Sequence, residues 1–159
     1  MAIPRGTRQR LATQLDVLRM FLEGPSAAYA EIAPEDGGWS AKENVAHLAR
    51  HALVFLGRLD RILKEDRPDL GTYRPEKDPE WPVWRALPLD EALRRLQATR
   101  AQLLEWVEAL SDEQAEQIGI HPQFGEWTIE RWLEFFLLHE AHHLYFMVRR
   151  LAQAQGRRS

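Results

Sequence analysis

The 159-residue sequence predicts an all-α fold: an up-down four-helix bundle forming a single domain over residues 1–159. Three observations lead there. Apolar residues recur at helical spacing along four stretches. No stretch alternates apolar and polar residues as a half-buried strand does. Hydroxyl caps, and one Gly-Pro break, stand at ends of the apolar stretches.

The first helix is predicted over roughly Thr7 to Glu23, where Leu11, Leu15, Leu18 and Leu22 share a face and Gly24-Pro25 ends the run. The loop AYAEIAPEDGG follows. The second helix opens at Ser40. Ser40 and Glu43 have the spacing of a capping box, in which each side chain satisfies the other residue's backbone amide. Leu48, Ala52, Phe55, Leu59 and Ile62 carry its apolar face to about Glu65. The segment from Asp66 to Pro88 is rich in proline and holds Tyr73, Trp81 and Trp84. An aromatic loop this long, between the second and third helices, either covers a site or closes the open end of the bundle. The third helix is predicted from about Asp90 to Leu110, with Leu93, Leu96, Leu103, Leu104 and Val107 inward. After the connection SDEQAEQIGI, Thr128 caps the fourth helix, which runs to about Ala152. Trp127 and Trp132 stand there at hydrophobic-staple spacing.

Net charge is −3, so no basic surface for nucleic acid is expected. Arg5, Arg8, Arg10, Arg149, Arg150, Arg157 and Arg158 cluster near the ends and read as solvated helix ends and tail. Cysteine is absent, which excludes disulfides, thiolate metal ligands and a thiol nucleophile of the chain's own. No apolar run reaches the ~20 residues of a membrane span. The expected setting is soluble and cytoplasmic, with no membrane partner.

The stretch LLHEAHHLYF contains His-Glu-x-x-His. Residues four apart share a helix face, so His139 and His143 can hold one metal ion. A zinc protease needs a further ligand downstream, and LYFMVRRLAQAQGRRS offers no His, Asp or Glu. The third ligand is therefore expected upstream, at His47 or His51 on the second helix or at His121 in the connection. The second and fourth helices of an up-down bundle are expected to run in the same direction, with a metal between them. The helical wheel puts His51 closer than His47 to the apolar arc. Depth agrees: His51 follows Ser40 by eleven residues, as His139 follows Thr128. His142 points to the surface.

The segments GGWSAKENVAHLARH and TIERWLEFFLLHEAHHLYFMVRRL resemble the two signature segments of the DinB-like (DinB/YfiT-like) family of helical-bundle metalloproteins. The resemblance spans nearly the whole chain in helix order. It implies one divalent metal ion, zinc or nickel, held by one histidine of the second helix and two of the fourth: here His47, His139 and His143. His47-Leu48 follows Trp39 by eight residues, as the family's ligand does, so His47 is preferred over His51, with His51 nearby in the pocket. Arg50 stands where relatives often carry an acid. Characterised relatives include bacillithiol- or mycothiol-dependent transferases and a thiol-dependent maleylpyruvate isomerase.

Three neutral imidazoles leave a coordination position open, as catalytic rather than structural zinc sites do. The expected function is metal-dependent transfer, in which a low-molecular-weight thiol attacks an electrophilic small molecule. One alternative is hydrolysis by hydroxide on the metal, with Glu140 as base or else bonded to a histidine or arginine. Another is a non-catalytic, metal-stabilised binding or dimerisation module, a homodimer being allowed. Tyr73, Trp81 and Trp84 are candidates to close over the metal.

Overall fold

The computed structural model describes residues 3–156, so Arg157 and Arg158 lie outside the described residues. The first predicted helix is interrupted. It consists of α1 (Arg5–Thr13), a 3-10 turn (Gln14–Asp16) and α2 (Val17–Leu22). The interruption lies where Gln14 turns its amide inward, donating to the Leu137 carbonyl (3.1 Å) and to Glu140 Oε1 (2.8 Å). Gly24, at φ +82°, ends the segment in a conformation that side chains other than glycine's resist.

The second bundle helix, α3 (Ala41–Lys64), starts at the expected capping box. Glu43 N donates to Ser40 Oγ (3.1 Å) and Ser40 N to Glu43 Oε2 (2.8 Å). The proline-rich crossing segment has structure of its own, a 3-10 turn (Pro75–Lys77) and a short helix, α4 (Trp81–Arg85). The third bundle helix is α5 (Leu89–Glu108). A short helix, α6 (Asp112–Ala115), leads into strands β1 (Ile118–His121) and β2 (Gly125–Thr128). The fourth bundle helix, α7 (Ile129–Gly156), follows directly. The predicted staple forms, with Trp127 edge-on to Trp132 at 5.3 Å.

The expectation of no sheet is corrected by this hairpin. Its strands pair antiparallel, Ile118 opposite Thr128 and His121 opposite Gly125. The crossing segment joins them: Ile120 N donates to the Pro68 carbonyl (2.8 Å) and Leu70 N to the Ile120 carbonyl (3.0 Å). β1 alternates in burial over only four residues and β2 does not alternate at all, so the pairing partners decide the matter rather than the pattern.

Side-chain pairs fix the helix directions. Asn44 meets His143 and Phe55 meets Phe136, so α3 and α7 run antiparallel. Glu43 meets Arg85 just before α5, and Trp84 lies against both Arg50 and Arg95, so α3 and α5 run parallel. Thr7 meets Glu134 and Gln14 meets Glu140, which sets α1 along α7 in the same sense. The order is up, down, down, up. The expected common direction of the second and fourth helices is thereby corrected. A parallel α3–α5 pair also explains the long crossing. At ~1.5 Å per residue the 24-residue α3 spans roughly 36 Å, and the chain must return that distance before α5 begins. The core between these helices is apolar, with Phe55, Leu59, Leu96, Leu103, Trp132, Leu133 and Phe136 almost fully buried. Among the described residues no helix is long and apolar enough to cross a membrane.

Candidate metal centre

Two helices that each carry histidines four residues apart and cross antiparallel bring four rings into one box. His47 and His51 come from α3, His139 and His143 from α7. The centroids of His47 and His143 are 4.3 Å apart, those of His51 and His139 4.0 Å. His47 Nε2 lies 3.2 Å from His139 Nε2. One ring nitrogen from each of His47, His139 and His143 falls within 4.8 Å of the others. A tetrahedral ion with bonds near 2.1 Å separates its ligand atoms by ~3.4 Å, so small ring rotations suffice to close the three on an ion. His51 is outside this group; it lies parallel to Phe136 at 5.9 Å and beside His139. The depth comparison that favoured His51 assumed parallel helices, and antiparallel packing removes its basis.

The donor set fits a cation. Burial and mutual repulsion hold His47 down to about 2 and His139 to about 3. Burial, with the nearby His142 charge, holds His143 down to about 4. His51 is also held well below its ordinary value by burial. All four rings are therefore neutral at physiological pH, with lone pairs to offer. The Nδ1 atoms of His47, His51 and His139 are buried without a hydrogen-bond partner, so among the described residues no acceptor fixes the tautomer of these three rings. His143 is oriented by Asn44. The Asn44 amide nitrogen donates to the Ser40 carbonyl (2.9 Å), which leaves its oxygen to accept from His143 Nδ1 (2.9 Å). His143 then carries its proton on Nδ1 and presents Nε2 as a bare lone pair.

The other candidate residues meet the structure in different ways. Glu140 is fully buried, but it pairs with Arg100 and accepts from Gln14, on the side of α7 facing α1 and α5. The role of general base is withdrawn, since both oxygens are committed to core partners. Tyr73 and Trp81 lie beside the histidines, at 5.5 Å from His51 and 6.0 Å from His47, and of the two Tyr73 lines their cavity. Trp84 does not join them; it is held between Arg50 and Arg95 in the seam of α3 and α5. His142 is exposed, as expected. His121 sits on β1 and outside the three-nitrogen set.

Arg50, the departure from the family pattern, is bonded through Nε and Nη2 to Asp78 (2.6 and 3.0 Å), and Tyr73 donates to the same carboxylate (2.9 Å). Arg50 holds the Asp78 carboxyl down to about 2. It thus fastens the crossing segment over the site. Sequence reasoning missed Asn44 as well as Trp39, whose ring lies 4.8 Å from His47 and 5.8 Å from His143. An asparagine inside an otherwise strong helix was the available signal for the first. The histidines open onto a cavity of about 370 Å³ that also meets Trp39, Arg58, Tyr73, His121 and Phe135. Among the described residues no carboxylate lines it.

The DinB superfamily profile matches residues 10–147. A relative from Oceanobacillus iheyensis, named a "Putative metal-dependent hydrolase", is 25% identical over 111 residues, covering 69% of this chain and 62% of its own length. One from Bacillus cereus with the same description is 27% identical over 107 residues, 67% of this chain and 61% of its own. The chain thus spans about three fifths of the relatives it matches. Among solved structures, YfiT from Bacillus subtilis superposes with a TM-score of 0.77 over 95% of this chain and 86% of its own, at 21% identity. YfiT is described as a probable metal-dependent hydrolase with an unusual four-helix bundle topology.

Proposed function

The chain belongs to the DinB superfamily, and from that premise we propose that it is a metal-dependent transferase that directs a low-molecular-weight thiol onto an electrophilic small molecule. His47, His139 and His143 hold the ion, zinc or nickel. The observation that carries the proposal is a pocket combining three convergent neutral imidazoles with a lining free of carboxylates, in a chain free of cysteine. When bound, a divalent ion there supplies acidification, so that a thiol or water in its open position is anionic at neutral pH.

The chain's own residues supply the rest. Asn44 fixes the tautomer of His143, keeping its Nε2 turned to the ion. His51 is buried beside His139 and held well below its ordinary pKa by burial, so it stays an uncharged wall of the pocket, and the proton that the nucleophile loses passes to solvent. Trp39, Tyr73 and Trp81 pack against the His47 ring and give that side of the site an aromatic wall. Thiol attack on an electrophile requires no carboxylate base, whereas hydrolysis of an ester or amide also requires proton delivery to the leaving group.

Hydrolysis is the second reading, favoured by the descriptions of the relatives. A structural metal in a binding module is the third. Elemental analysis, then a thiol and electrophile screen with metal-loaded and chelated protein, separates them. Consumption of electrophile that requires both thiol and metal supports transfer. Turnover of esters without thiol supports hydrolysis. A loss of stability on chelation with no turnover of any kind supports the structural reading.

A further inference from the structure

Arg58 lies on the same face of α3 as the two histidines. At ~100° per residue it is offset only about 20° from each, and at ~1.5 Å per residue it is roughly 10 Å beyond His51 along the axis. It is half-buried and lines the cavity of the histidines. Its Nη2 donates to the Gly71 carbonyl (3.1 Å), and among the described residues no carboxylate pairs with it. Burial without such a partner lowers its pKa, and its charge reaches His51, His139 and His121. A partly desolvated guanidinium beside neutral rings has most of its fork of donors left to offer.

A second donor stands in the same cavity. His121 Nδ1 accepts from the backbone amides of Gln123 (3.1 Å) and Phe124 (3.2 Å) in the hairpin turn. The neutral ring must then carry its proton on Nε2, which makes it a hydrogen-bond donor and not a metal ligand. Thr72 adds a hydroxyl to the lining. Outside the Tyr73 segment, a groove sharing Arg58 and Thr72 continues past Arg74 and Lys77, a positive approach to the pocket.

We propose that Arg58 and His121, with Thr72, form an anion subsite at the end of the pocket remote from His47, which anchors a carboxylate or phosphate group of the small molecule the protein acts on. This rests on the metal-dependent reading for its purpose: an anchored anion would hold the rest of the molecule toward the histidines.

Titrating ¹⁵N-labelled protein, zinc-loaded and chelator-stripped, with propionate, methyl phosphate and uncharged propionamide tests the subsite. The amides of Gln123 and Phe124 are the reporters. Saturable shifts are expected with at least one anion and not with propionamide, and the tighter of the two anions identifies the group. Arg58→Gln should weaken binding by about tenfold or more, the loss expected for charge-assisted bonds, and Arg58→Lys by less. Should Arg58→Gln not fold, Arg58→Lys still decides, because the subsite predicts weakening without loss of zinc. Unchanged anion affinity in a folded Arg58 variant, absence of anion binding by the wild type, or equal shifts with propionamide would each overturn the subsite. Anion binding that vanishes with zinc and ignores Arg58 would overturn it too, since the ion would be the receptor. If the protein holds neither zinc nor nickel, the metal reading fails by itself. The stripped protein then still reports on Arg58.

Discussion

Single residues decide whether an ion is held. His47→Ala, His139→Ala or His143→Ala should each abolish metal binding, measured as ion content per chain after dialysis, whereas His51→Ala should weaken it modestly. Equal content in wild type and all three ligand variants would reject the site. Asn44→Ala leaves the three rings but frees the His143 tautomer, and should cost ~10–100-fold in metal affinity. The same rings set a pH dependence in the metal-free protein. Unfolded histidines titrate near 6.5, whereas burial holds His47, His139 and His143 at about 4 or below. Between those values the unfolded chain binds protons that the folded chain refuses. Stability is therefore full above pH 6.5 and falls as the solution is acidified toward pH 4, by about 1.4 kcal/mol per pH unit for each such histidine. Thermal melts of chelated protein from pH 7.5 to 5 should show this slope, shallower in His47→Gln. The His139–His143 pair was legible from spacing alone. His47 came only through resemblance, because a wheel measures distance from the apolar arc and not from the facing helix. Asn44 and Arg58 were illegible: their roles depend on which ring or cavity lies opposite.

Among the elements, the crossing segment is tied to β1 at Pro68 and Leu70 and to α3 by Arg85 against Glu43, and over the histidines it is held by Asp78 against Arg50 and Tyr73. Arg50→Ala removes the ion pair and should raise hydrogen exchange from Thr72 to Glu80, leaving that of α5 unchanged. Metal content should persist, because the ligands belong to other elements. Equal protection in the variant would mean that α4 and its tryptophans suffice to hold the segment. The four bundle helices were readable from their periods and caps, the Ser40–Glu43 box to the residue. Their directions were not. Nothing in an amphipathic pattern distinguishes a parallel from an antiparallel neighbour, and the length of the crossing was the one clue that the chain travels back before α5. The hairpin escaped because Ile120, at its centre, gains its backbone partners from Pro68 and Leu70, about fifty residues earlier.

For the molecule as a whole, the buried Glu140–Arg100 pair is a matter of stability, not chemistry. Glu140→Ala strands the Arg100 charge in the core and should destabilise the fold by ~3–5 kcal/mol in denaturant titration, without lowering metal content under native conditions. The meeting of α3 and α7 reaches further. His47 and His139 touch across 92 positions of chain, so no local piece can assemble the histidine box early. During synthesis the three candidate ligands cannot come together until α7 has been made and has docked, so any ion they hold is taken up after translation. In refolding experiments zinc should accordingly leave the folding limb of the chevron in place and slow the unfolding limb, as a ligand that recognises only the finished state does.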